Sequence, residues 1–428
     1  MSNMTTKTIE DLVKQGQAAR AAARQVARLS TLVKNSVLLG LADFLESEPG
    51  PVLVANEEDY AAAKSDGLDE AMLDRLLLDQ DRLKAVAGDL RKVAELPDPV
   101  GESLEMNTLP NGLIAGRRRV PIGVVASIYE SRPNVTIDIF GLCLKSGNAC
   151  ILRGGSETIR SNSALVEVIR RALVDAGVTQ DAVQFVDNPD RNLVDALLKM
   201  NDYVDLVIPR GGAGLVKFVA ENATMAAVTG GIGVCHTYVD RLADLDKAMN
   251  VVHNAKVRRP SICNALDTLL VHSAVAAKGL PRIAEKLTVS GVELHCDRRA
   301  LSILGPAAAG KVVPAQEDDW GKEFLSLTAA VKVVDSLDDA LQHIETYGSG
   351  HSEAVITEDY SVAMRFLDEV DAAAVYVNAS TQFTDGAQFG LGAEVGISTQ
   401  KFHARGPMGL RELTSYKWVI MGNGHVRP

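Results

Sequence analysis

From Ile122 onward the chain alternates short apolar runs with helical stretches, and this alternation most narrows what it can fold into. "IGVVASI", "ACILR", "AVQFV" and "VDLVIP" are separated by segments of helical composition. A second series starts near Cys235 with "VCHTYV", "TLLVH", "VELHC", "AAVKVV", "EAVI" and "AAVYVN". Uninterrupted apolar runs of this length, spaced by helices, mark βαβ units around a buried parallel sheet. Two such series joined by one middle segment predict two doubly wound α/β domains, with ligands beyond the carboxyl ends of the strands. The junction, residues 229–263, is where a cleft is expected. No internal repeat or low-complexity tract is present.

Before the first series, "IEDLVKQGQAARAAARQVARLSTLVKNSVLLGLADFLES" and "DEAMLDRLLLDQDRLKAVAGDLRKVAEL" carry apolar residues at helical spacing, and "PDPVG" ends the second. "NTLPNGLIAGRRRVP" has turn signals between short apolar stretches and reads as a hairpin arm. The expected boundaries are 1–106 and 121–230 for a cofactor domain, 231–390 for a catalytic domain, and 107–120 with 391–428 for an oligomerisation arm and C-terminal segment.

At 428 residues the chain is long enough for such domains. Its net charge of −11 argues against nucleic acid or an anionic membrane as partner, so an anionic substrate needs a local cluster of arginines. The N-terminal residues lack the layout of a signal peptide, and no apolar run is long enough to span a bilayer. Five cysteines without framework spacing suit a reducing compartment, and the expected location is the cytoplasm. The histidines show no HExxH-type spacing and there is no CxxC, so no metal site is expected.

Two glycine-rich turns follow strands and open helices. One carries Gly154, Gly155 and Ser156; the other carries Arg210, Gly211, Gly212 and Gly214. Amides at such helix starts attract phosphate, although glycines there are often only conformational. The first strand is followed by "YESRPNV" instead of GxGxxG. Arg153 ends the second strand, where arginine suits a 2′-phosphate and an acid suits a ribose hydroxyl. It reads either as an NADP determinant, with Glu157 nearby for a ribose, or as a solvated strand end.

Of the cysteines, Cys143, Cys150 and Cys235 look like small core residues, and Cys296 lacks glycine-rich surroundings. Cys263, in "VRRPSICNALDT", follows Pro260 and Ser261, which are helix-start residues, and Arg258 and Arg259. A first-turn position with neighbouring cations favours thiolate, the reactive form. Cys263 is therefore read either as a nucleophile or as a buried structural residue.

These segments resemble the aldehyde dehydrogenase superfamily over essentially the whole chain. "LKSGNACILRGG" stands where those enzymes carry AxxAGNxVVxKP, "VTGGIGV" where they carry ExGGK, and "KEFLS" where they carry EEIFGP. Cys263 follows Thr229 by 34 residues, the separation between their motif and their nucleophile. Within the superfamily, "ESRPNVT", "RGGSE", "DLVIPRGG", "TGGIGVCH", "ALQHIETYGSGHSEAVIT" and "VNASTQFTDG" are similar to the glutamate-5-semialdehyde dehydrogenase (γ-glutamyl phosphate reductase) family.

The resemblance implies an aldehyde dehydrogenase-like α/β fold and an NADPH-dependent reduction of L-glutamyl 5-phosphate to L-glutamate 5-semialdehyde in proline biosynthesis. Cys263 would form the thioester, with Asn134 and nearby backbone amides as oxyanion donors. Thr229 stands where hydrolysing relatives have the glutamate that activates water, in keeping with an acyl-phosphate reductase. Ser127, Arg153, Gly154, Gly155, Ser156, Arg210, Gly211, Gly212 and Gly230 would bind NADP(H), with Glu323 and Phe324 at its nicotinamide end. Arg132, Arg258 and Arg259, and Asn378, Ser380 and Thr381, would bind the substrate, followed by His403 and Arg405. His351 is a landmark of that family without a physical role in sequence terms. A homo-oligomer, dimer or tetramer, and a glutamate 5-kinase partner also follow from the resemblance. The alternatives are a CoA-acylating aldehyde dehydrogenase, which also lacks the hydrolytic base, and a catalytically silent scaffold.

Overall fold

The computed structural model describes residues 8–228, 230, 232–305 and 311–427, and these form two compact units. One contains residues 1–229, 390–396 and 408–428; the other contains 230–389 and 397–407. Thr229, the position read as lacking the water-activating glutamate, lies outside the described residues.

The first unit opens with helices α1 (Ile9–Val26), α2 (Thr31–Ser47), α3 (Gly50–Ser65), α4 (Glu70–Leu76) and α5 (Gln80–Glu95). Their starts are set by side chains that satisfy orphan amides: Thr8 forms a capping box with Asp11, and Ser30, Asp69 and Asp79 cap α2, α4 and α5. Next comes the arm, with β1 (Ser103–Thr108) antiparallel to β2 (Ile114–Pro121). The sheet that follows holds β3 (Val124–Tyr129), β4 (Ala149–Arg153), β5 (Val183–Phe185), β6 (Leu206–Arg210) and β7 (Ala226–Ala227) in the order β5-β4-β3-β6-β7, all parallel. Every residue of β3 is buried, which is why its sequence is apolar without alternation. Helices α6 (Asn134–Lys145), α7 (Ile159–Asp175), α8 (Arg191–Leu197) and α9 (Ala213–Asn222) cross between these strands. The order reverses between β3 and β6, which makes their carboxyl ends the switch point where such sheets bind ligands.

The second unit is a seven-stranded parallel sheet. Its strands are β8 (Cys235–Val239), β9 (Leu266–His272), β10 (Glu293–Cys296), β11 (Val312–Pro314), β12 (Thr328–Val334), β13 (Ser352–Ile356) and β14 (Ala374–Val377), in the order β11-β10-β12-β9-β8-β13-β14. Helix α10 (Leu245–Val257) links β8 to β9, and α11 (Ser273–Val289) links β9 to β10. Leu269, Val271, Val331, Leu280 and Ile283 fill the core between sheet and helices. A short antiparallel pair, β15 (Ile397–Ser398) with β16 (Gly406–Pro407), belongs to this unit. The last strand, β17 (Thr414–Met421), returns to the first unit and pairs with β2 of the same chain along its whole length. No described helix is long and apolar enough to cross a membrane.

Candidate active site

Cys263 is half-buried, whereas the other four cysteines are fully buried. It does not sit in the first turn of a helix, as the Pro-Ser pair led us to expect. Helix α10 ends at Val257 with Arg258 as its C-cap, and Cys263 lies in the turn joining it to β9. A proline disfavours helix at the residue before it, and the few residues from Pro260 to Leu266 leave no room for a new helix ahead of the strand. A helix N-terminus therefore contributes nothing to the thiol. Arg258 and Arg259 are exposed, and the Arg258 guanidinium donates to Gln382 Oε1 at 3.1 Å.

What holds the Cys263 turn is a brace from residues 380–384. The Gln382 amide donates to the carbonyls of Ala255 (3.0 Å) and Arg259 (3.3 Å), and Thr381 Oγ1 donates to the Asn264 carbonyl at 2.7 Å. In return the Asn264 amide donates to the Thr384 carbonyl at 3.0 Å. Ser380 caps this short turn through the Gln382 amide. Asn378 spends both atoms of its side-chain amide on the backbone of Thr357, at 3.0 and 2.8 Å. Ser380, Thr381 and Asn378, expected to bind substrate, thus have scaffold roles here. Arg405 pairs with Asp371 at 2.8 Å.

On the other side of Cys263 the chain passes Gly233. A Cβ there would lie 1.6 Å from the Cys263 carbonyl oxygen, so only glycine fits. The Gly233 amide donates to Glu323 Oε1 at 2.9 Å, and burial raises the Glu323 carboxyl above its ordinary range. Gly230 packs tightly on the backbone of Ile397 and Thr399. The Phe324 amide donates to Asp267 Oδ1 at 3.0 Å, and the Phe324 ring meets His295 edge-on at 5.6 Å. Glu323, Phe324 and Cys263 therefore share one neighbourhood of the second unit, around Gly233.

Beneath it lies Cys235, whose thiol donates to the Cys263 carbonyl at 3.2 Å. Burial pushes this thiol well above its ordinary range, so it stays protonated and is no competing nucleophile. His351 gains a physical role here. It is fully buried, with Nδ1 3.8 Å from Cys235 Sγ and 2.8 Å from Ser352 Oγ, and burial pulls its pKa down to about 4. It is a neutral packing histidine behind the Cys263 turn.

The first unit carries the glycine turns. At the carboxyl ends of β3, β4 and β6 stand Glu130–Ser131, Arg153–Gly154 and Arg210–Gly211. Arg153, Gly155 and Ser156 line a cavity of about 490 Å³ with Glu130, Arg191 and Gly214. Arg153 donates to the Pro189 carbonyl at 2.9 Å, leaves Nε buried without a partner, and is lowered from its ordinary pKa by burial. A half-buried guanidinium with a buried, unpartnered Nε, facing a cavity, suits an anion. Glu157 is held by Ser131, whose amide and hydroxyl both donate to it at 2.7 Å, with Ser131 strained at φ 42°. The Gly212 amide, at the start of α9, donates to Glu130 Oε2 at 2.9 Å, so a carboxylate stands where the sequence led us to expect a phosphate. Gly154 lies against the Asn162 side chain and Gly155 against the Glu157 carboxylate. Ser127 is wholly buried and donates to the Ile208 carbonyl at 3.1 Å, which makes it a tie between β3 and β6 with no surface for a cofactor. Asn134 opens α6 and donates to Asp138 at 2.9 Å, while burial pushes the Asp138 carboxyl up to about 7. Arg132 precedes it, half-buried in the same loop.

The aldehyde dehydrogenase family profile matches residues 1–310 and 312–419. A γ-glutamyl phosphate reductase of Dehalococcoides mccartyi is 55% identical over 421 residues, spanning 98% of this chain and 99% of that protein. One from Proteus mirabilis is 54% identical over 416 residues, spanning 97% and 100%. The crystal structure of the γ-glutamyl phosphate reductase of Thermotoga maritima superposes with a TM-score of 0.95 at 47% identity, covering 97% of this chain and 100% of that one. The chain belongs to the γ-glutamyl phosphate reductase family of the aldehyde dehydrogenases. An acetylating aldehyde dehydrogenase of Geobacillus thermoglucosidasius shares the fold, with a TM-score of 0.70 at 17% identity.

For a member of this family, the sequence reading passed over several residues that shape the site. Gly233 was within reach, since a glycine beside an invading loop is a local signal. Gln382, Asp267 and Lys256 were not, because their roles depend on which distant segments fold against them. Glu130 lies inside "YESRPNV", but nothing local shows that its carboxylate caps α9.

Proposed function

We propose that the protein reduces L-glutamyl 5-phosphate to L-glutamate 5-semialdehyde with NADPH, the second step of proline biosynthesis. The observation that carries this reading is the Cys263 turn: a half-buried cysteine on a heavily braced loop, in a chain over half identical to γ-glutamyl phosphate reductases. Cys263 as thiolate attacks the acyl carbon, and phosphate leaves. The thioester takes hydride, and the resulting thiohemiacetal releases the aldehyde and regenerates the thiol. Backbone amides near Cys263, together with Asn134, are the donors assigned to the oxyanion.

The cofactor is assigned to the first unit. Arg153, with its unsatisfied Nε, and Ser156 line a cavity suited to the phosphorylated ribose of NADP(H), and Gly211 and Gly212 flank the switch point. Glu130 would have to yield the α9 N-terminus to a pyrophosphate bound there. Glu323 and Phe324 are assigned to the nicotinamide, and Arg132, Arg258 and Arg259 to the substrate anions. A homo-oligomer in the cytoplasm, supplied by a glutamate 5-kinase, completes the reading. In a Cys263→Ser variant, turnover should vanish while NADPH binding, followed by fluorescence titration, stays within about twofold of wild type. Near-normal turnover in that variant would assign the chemistry to another residue.

A further inference from the structure

Lys256, the penultimate residue of α10, is fully buried, and no described group lies within hydrogen-bonding distance of its Nζ. Its nearest charge is Asp267 on β9, 3.7 Å away and itself 1% exposed. A buried pair of this looseness rarely stabilises a fold, because desolvation outweighs the attraction unless hydrogen bonds complete the geometry. Stability does not explain it, so its use must lie in what Asp267 does.

Asp267 joins three segments. Its Oδ1 accepts the Phe324 amide at 3.0 Å, and its Oδ2 accepts the Cys235 amide at 3.4 Å. Cys235 in turn holds the Cys263 carbonyl through its thiol, and Glu323, next to Phe324, holds the Gly233 amide that lies against the same carbonyl. The contacts close a ring from Cys263 through Cys235, Asp267, Phe324, Glu323 and Gly233 back to Cys263. Both amide contacts are strongest to an ionised carboxylate: protonation makes one oxygen an O–H donor with reduced acceptor capacity and weakens the clamp on that side.

We propose that Lys256 is a positioning residue: its ammonium keeps Asp267 ionised, so that one carboxylate clamps the Glu323–Phe324 segment and the Cys235 strand around the Cys263 turn. This rests on the assignment of Cys263 as nucleophile. The other titratable groups facing the pair are Cys235 from β8 and Glu323, with His351 and Glu353 behind Cys235. In the intact site, burial pushes the Asp267 carboxyl up to about 6, with Lys256 pulling the other way. The clamp should therefore loosen as pH falls through about 6.

The test is the pH profile of kcat for phosphate-dependent NADP⁺ reduction, set beside the pH profile of Cys263 alkylation by iodoacetamide. Removing an opposite charge at this range raises a carboxyl by about 1–3 units. Lys256→Met should move the acid limb of kcat upward by about two pH units, with roughly tenfold loss at pH 7 and recovery toward wild type near pH 9. Lys256→Arg should restore the limb, and the alkylation profile should not move. An unmoved limb in Lys256→Met, or a loss equal at every pH, overturns the proposal. Should Lys256→Met not fold, Lys256→Met/Asp267→Asn removes both charges together. It must lack the limb, and a wild-type limb in that protein overturns the proposal equally. If Cys263→Ser turns over, the assignment of the nucleophile has failed instead, a result independent of where the limb lies.

Discussion

At the scale of residues, the Cys263 turn is set by its neighbours more than by its own flanks. The sequence around Cys263 offered a helix start and two arginines. The structure instead supplies a turn, a glycine pressed on its carbonyl and a protonated thiol beneath it. Gly233→Ala would place a Cβ 1.6 Å from the Cys263 oxygen. Overpacking of this kind costs on the order of 1–3 kcal/mol, with the displacement falling on the nucleophile. We expect kcat to fall at least a hundredfold while urea denaturation shows a loss within that range; wild-type kcat would mean the turn tolerates displacement. Motif spacing singles out Cys263 in the sequence; the packing of its turn was not legible, because Gly233, Cys235 and Gln382 reach it from distant segments.

At the scale of elements, the strands declared themselves because parallel strands buried on both faces carry apolar runs, as in β3 and in the Leu269–Val271 stretch of β9. β7 and β11 escaped notice because two or three residues carry no periodicity. The hairpin arm was legible from its turn residues, and it extends further than expected, from Ser103, with β17 as its third strand. The 380–384 turn is the element to which the structure adds a role that sequence alone does not show. "NAST" reads as a polar, ligand-facing loop, yet Thr381 and Gln382 face inward onto the Cys263 turn. Thr381→Val removes one buried hydrogen bond and leaves the Asn264 carbonyl without that donor, a loss of about 1–3 kcal/mol. The expected sign of the brace is a larger effect on kcat than on the Michaelis constant for NADPH. A change confined to that Michaelis constant would contradict it.

At the scale of the whole molecule, buried neutral histidines make the fold acid-sensitive. Burial holds His351 down to about 4 and His343 to about 3, both below the ordinary histidine value of about 6.5. Between about pH 6.5 and 4 the unfolded chain binds protons that the folded chain refuses, so stability falls as pH falls through that window. For His351 alone the loss approaches ~3 kcal/mol at pH 4. The buried carboxyls of Asp138 and Asp267, raised to about 7 and about 6, act in the opposite sense over the same range, so the histidine contribution is read as a difference between proteins. We expect His351→Asn to lose less melting temperature than wild type, or gain more, between pH 7 and pH 5; an identical pH dependence in the two proteins would contradict the burial argument.

The central claim is that Cys263 carries an acyl group exchanged with phosphate and hydride, and not with water. It is tested most directly by following NADP⁺ reduction by L-glutamate 5-semialdehyde with and without inorganic phosphate. The account predicts a rate that depends on phosphate and saturates with it, and a rate near zero in its absence. An equal rate without phosphate, or one supported by coenzyme A in its place, would contradict it.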